Sequence, residues 1–191
     1  MRRRRKRRRS FRPRPTRARP KEPVPVCLPS LLKELGDSRS EVRRRAAEKL
    51  GEIGHSEAVE PLNRALHDSE AEVRLWAAWA LGKIGSPQAV LPLVDLLGRE
   101  PDETVRRWVA WALGEIGEER AAEALSRALR DEAAGVRFYA GEALARLGRT
   151  DLLIRALQTG PKPVQQAAAE ALRALDDPAA QSALRAYETA Q

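Results

Sequence analysis

Four tryptophans carry the plainest chemistry in this sequence, and it is recognition chemistry. Trp76 and Trp79 are three residues apart, as are Trp108 and Trp111, which puts each pair on one helix face. Leu75, Lys83, Arg107 and Glu115 accompany them, and a third set follows: Phe138, Tyr139, Glu142 and Arg146. Aromatic rings give large contact area for little side-chain entropy, and arginine completes the usual set of binding hot spots. These residues are the candidate partner-binding face; the alternative is that the rings fill space between helices.

Other chemistries lack their residues. His55 falls in a turn and His67 at a helix end, where a cation is favoured, and neither begins a metal-ligand spacing. Cys27 is the sole cysteine, which excludes an internal disulfide and a thiolate-rich metal site. No glycine-rich phosphate loop and no nucleophile near a base stand out. The expectation is a non-catalytic protein with no cofactor and no metal.

A second feature is charge. Arg2, Arg3, Arg4, Arg5, Lys6, Arg7, Arg8 and Arg9 open a segment, residues 1–29, with eleven Arg and two Lys against Glu22 alone, net +12. The other 22 bases and 26 acids leave the body at −4. Dense like charge and six prolines predict a disordered, extended tail. Three readings of it stand: contact with nucleic acid or another polyanion through counter-ion release, a membrane-surface contact, or a solvated stretch without a partner, including an upstream stretch wrongly counted as coding. Arg8-Arg9-Ser10-Phe11 fits the start of a twin-arginine export signal, but charge and proline follow where an apolar region should. No apolar run approaches the roughly 18 residues of a membrane span, and the expectation is a cytoplasmic monomer.

The elements that hold the tryptophans repeat. VRRRAAEKLGEIG at Val42 returns as VRLWAAWALGKIG at Val73, VRRWVAWALGEIG at Val105, VRFYAGEALARLG at Val136 and VQQAAAEALRALD at Val164. In each, positions zero, four, seven, eight and eleven from the valine are apolar, with Lys49 the exception, and they share one helical face. A second amphipathic stretch precedes each, as in AVEPLNRALHD from Ala58, so each repeat is a helical hairpin. Ser38 with Glu41 and Ser69 with Glu72 have capping-box spacing; Ser86-Pro87 and Asp177-Pro178 read as cap and first helical position. Gly54, Gly85, Gly117 and Gly148 fall where left-handed C-terminal caps belong. The fold expected for residues 30–191 is an all-α, right-handed solenoid of about five hairpins, closed by a helix over roughly Pro178 to Thr189.

Positions three, six and ten after each valine lie about a quarter-turn from the core face. They are expected to face solvent, with the four indoles joined in one patch because stacked helices lie about 8–10 Å apart.

The pattern resembles the HEAT repeat, most closely the short HEAT-like class first described in phycobilisome lyases. The resemblance implies a ladder between hairpins, with Asp37, Asp68, Glu100 and Asp131 matched to Arg43, Arg74, Arg106 and Arg137; the fifth repeat has Thr159 and Gln165 instead. It also implies that the second helices line a concave groove for a ligand. HEAT-repeat deoxyhypusine hydroxylase needs His-Glu pairs that this chain lacks. The function expected is a scaffold for a protein or peptide. The alternatives are nucleic-acid binding, as in HEAT-like DNA glycosylases, and bilin-lyase-type chromophore handling.

Overall fold

The structure, a computed structural model, describes residues 27–190. The tail residues Arg2 to Arg9 lie outside that range, and so do the readings placed on them. Every regular element described is helical. Five hairpins follow in order: α1 (Leu28–Glu34) with α2 (Ser40–Ile53), α3 (Val59–Ala65) with α4 (Ala71–Ile84), α5 (Val90–Arg99) with α6 (Glu103–Ile116), α7 (Ala122–Ala128) with α8 (Ala134–Arg146), and α9 (Thr150–Thr159) with α10 (Lys162–Leu172). The last helix, α11 (Pro178–Thr189), packs on α9 and α10 and closes the stack.

Small residues set the spacing. Ala77, Ala80, Ala110, Ala112, Ala140 and Ala143 are fully or almost fully buried, so α2, α4, α6 and α8 pack closely side by side. The first helices pack on one another less closely, and the stack therefore curves toward the second-helix row. Leucines from both layers, Leu62, Leu81, Leu93, Leu113, Leu125 and Leu144, fill the interior between the rows.

Gly54, Gly85, Gly117 and Gly148 have φ between 69° and 76°, the left-handed turn that ends each second helix. Ser86 and Asp177 accept the N–H groups of Gln88 and Ala179. The two capping boxes do not form. Helices α2 and α4 have no side-chain cap, because the aspartate one residue before each serine takes the job: Asp37 accepts from the Arg39 N–H and Asp68 from the Glu70 N–H.

That aspartate belongs to the ladder. Arg43 grips Asp68 with Nε and Nη2 at 2.6 and 2.8 Å, Arg74 grips Glu100 at 2.7 Å twice, and Arg106 grips Asp131 at 2.8 and 2.9 Å. The remaining Nη1 of each arginine donates to two carbonyls of its own turn, as Arg74 does to Asp68 and Ser69. Burial alone would raise Asp68, Glu100 and Asp131; the bidentate guanidinium and the backbone N–H two residues on outweigh it and hold all three carboxyls below their usual range. The ladder is closed at its start, where Arg39 fills the Asp37 carboxylate. At its end Arg137 keeps the carbonyls of Asp131 and Glu132, and Thr159 occupies the next carboxylate position.

The His67 expectation is revised. Its Nδ1 faces the Nη2 of Arg99 at 2.9 Å, and the same Nη2 donates to the Leu66 carbonyl. Arg99, from the next hairpin, supplies the cation at that helix end.

Candidate partner-binding face

The predicted stripe lies along α4, α6 and α8, but its rings are more deeply engaged than a solvent-facing wall requires. Trp108 is 6% exposed. Trp111 meets it edge-on with ring centroids 5.3 Å apart, and Tyr139 of the next hairpin stacks on it at 6.4 Å. Its indole N–H is buried without a protein partner.

Trp79 and Trp111 are half-buried for a different reason. A Cβ on Gly51 of α2 would lie 2.6 Å from Cζ3 of Trp79, and one on Gly82 of α4 would lie 2.8 Å from Cζ3 of Trp111. Each benzo edge thus occupies the space that its glycine leaves on the preceding helix. Cζ3 is remote from Nε1 in an indole, so both N–H edges point away from the seam.

Trp76 meets Trp79 edge-on at 5.3 Å, and the guanidinium of Arg44 lies 5.8 Å from the Trp76 ring, a cation–π contact. The strip expected to be one patch of indoles is two T-shaped pairs, the second extended by Tyr139 and Phe138. Leu75 is half-buried against the core. Lys83 is exposed, and the exposed Glu115 pairs with Arg146 of α8. Arg107 lies across Gly135 at the start of α8.

Phe138 is 41% exposed and marks where the face opens. There a cavity of about 290 Å³ lies between α8 and α10, lined by Phe138, Glu142, Ala145 and Arg146 from one side and Ala167, Glu170, Ala171, Ala174 and Leu175 from the other. The second set did not figure among the expected site residues. The signal was present: Ala167, Glu170 and Ala174 stand three, six and ten residues after Val164, the offsets that define the stripe in the earlier repeats. Among the described residues no group of His, Cys, Asp and Glu is arranged to hold a metal ion, and no helix is long and apolar enough to cross a membrane.

A family model for HEAT repeats matches residues 28–109 and 90–145. Among curated proteins, none matches by sequence. Among solved structures, the chain is similar to the complex of CpcE and CpcF of phycocyanin lyase from Nostoc sp. PCC7120, at 29% identity and TM-score 0.67, over 90% of this chain and 72% of that one. It also resembles the S. pombe condensin Cnd3-Cnd2 subcomplex, at 24% identity and TM-score 0.60, over 76% of this chain and 22% of that one. A designed armadillo repeat protein in complex with the peptide (KR)4 matches at 23% identity and TM-score 0.57, over 84% of this chain and 87% of that one.

Proposed function

The chain belongs to the HEAT-repeat family, and from that premise we propose that it is a non-catalytic scaffold that holds a protein or peptide on its second-helix face. The observation that supports this reading is the run of partly exposed rings, Trp76, Trp79, Trp111, Tyr139 and Phe138, ordered along one side of the stack. Aromatic side chains held rigidly by packing make efficient contact surfaces, and the ladder beneath keeps the helices that carry them in register.

The test is site-specific photocrosslinking in the full chain. A crosslinker replacing Lys83 or Phe138 should capture a partner that one replacing Leu91 does not. Leu91 is 60% exposed on the first-helix layer, so it controls for mere apolar exposure. Equal capture from both layers would sink the reading.

The likeness to a phycocyanin lyase complex supports a second reading, in which the scaffold handles a chromophore-bearing protein. Adding a free bilin to the purified chain should then shift the bilin absorbance spectrum, and an unchanged spectrum would remove that reading.

A further inference from the structure

The cavity between α8 and α10 lies where tryptophan fills the stack at two earlier junctions. At those junctions the glycine nine residues after one valine faces the residues six and seven after the next: Gly51 meets Trp79 and Ala80, and Gly82 meets Trp111 and Ala112. The equivalent residues of the fourth and fifth repeats are Ala145, Glu170 and Ala171, and all three line the cavity.

The helices also cross differently there. The close approach falls at Gly141, five residues after its valine, where a Cβ would lie 3.1 Å from Ala171 Cβ. At the upstream junctions it falls one helical turn later. Crossing early, α10 leaves the C-terminal part of α8 uncovered, and the ring that covers this place upstream is replaced by a carboxylate at its margin.

At about 290 Å³ the space is at or below the lower end of small-molecule pockets, roughly 300 Å³, a size for one bulky side chain and its neighbours. Its floor is Ala145, Ala167, Ala171 and Leu175, with Phe138 at one side. Of the charged groups on its rim, Arg146 is engaged by Glu115, while Glu142 and Glu170 add two carboxylates. An apolar slot with an acidic margin favours a ring accompanied by positive charge.

We propose that this slot takes an aromatic side chain of a partner protein, presented on a segment with lysine or arginine next to the ring. The proposal rests on the scaffold reading and specifies its anchor. The probe is a fluorescein-labelled, end-capped peptide containing Lys-Trp-Lys, titrated into the full chain and read by fluorescence anisotropy. It should bind at least about tenfold more tightly than matched peptides containing Lys-Ala-Lys or Asp-Trp-Asp, the margin expected when one anchor carries most of the contact.

The double substitution Glu142→Lys with Glu170→Lys should reverse the preference between Lys-Trp-Lys and Asp-Trp-Asp. Because the exchange acts on the rim, it is readable even if a variant that plugs the slot fails to fold. The plug is Ala145→Gly with Glu170→Trp, which rebuilds the upstream interlock and should abolish peptide binding.

Failure of all three peptides to discriminate, or a charge swap without effect, overturns the proposal. So does binding that appears only in a Phe11→Ala chain, which would assign the slot to this chain's own basic segment. Continued partner capture through a crosslinker at Lys83 in the plugged variant would overturn the slot while leaving the scaffold reading intact.

Discussion

Cζ3 of Trp79 lies where a Cβ on Gly51 would come within 2.6 Å of it, and the Cα of Ala80 stands at 2.7 Å from the same point. Replacing a glycine inside a helix by alanine ordinarily stabilises by roughly 0.5–1 kcal/mol. Here backbone as well as ring must move, so the clash decides the sign. Gly51→Ala and Gly82→Ala should each lose about 1–3 kcal/mol, the range for overpacked interiors. Gly98→Ala in α5, where the added methyl meets nothing within 4 Å, should gain up to about 1 kcal/mol. Urea denaturation of the three variants checks both signs, and a stabilising Gly51→Ala would show that the interlock is loose.

Trp108 separates ring burial from its N–H. Truncation to alanine removes an almost wholly buried side chain and should lose about 3–5 kcal/mol. Trp108→Phe keeps much of the ring and deletes a buried donor without a protein partner, a group whose burial costs about 1–3 kcal/mol. Its net effect should stay below about 1 kcal/mol. Thermal denaturation by circular dichroism distinguishes them; equal losses would mean that the indole N–H is satisfied in solution.

Glu100 tests the ladder. Its side chain is 1% exposed and its partner Arg74 12%, so Glu100→Ala leaves a guanidinium with neither water nor carboxylate. The expected loss is about 3–5 kcal/mol. Arg39, 72% exposed in its pair with Asp37, should lose less than about 1 kcal/mol on change to alanine. Comparable losses at the two sites would contradict the burial gradient.

Acid should unlock the same rungs. The folded carboxyls of Asp68, Glu100 and Asp131 lie below their ordinary values, so the unfolded chain takes up their protons first. Their contribution is fully present above the unfolded values, about pH 4, and is lost as pH falls toward the folded ones. Asp37, held at about 2 by hydrogen bonds from Arg39, follows the same sign. Urea midpoints measured from about pH 7 to about pH 3 should fall more steeply below about pH 5 for the native chain than for Asp131→Asn. Parallel curves would remove the ladder from the acid response.

The hairpins, their left-handed glycine ends and the closing helix were legible because each rests on a local rule repeated at a fixed period. The depth of the rings was not. Arg45 and Glu48, at the offsets of Trp76 and Trp79, make those offsets look free of packing duty. The residue seven after each valine shows why the inference fails: Ala80 and Ala112 pack on the preceding helix, whereas Lys49 is exposed because the first hairpin has no predecessor. Glu48 belongs to the same end, so its charge says nothing about the interior copies. The cavity escaped notice because it depends on how α8 and α10 cross, which the spacing of two valines does not determine.

Asp37 finds its cation within its own turn, whereas each later carboxylate on the ladder depends on the hairpin before it. The stack therefore has a direction of growth. A hairpin duplicated in the interior brings one acid and one base and leaves no charge stranded, while one added ahead of Asp37 must compete with Arg39 for an occupied carboxylate. Lengthening of this rod by gene duplication is electrostatically neutral inside and opposed at its beginning.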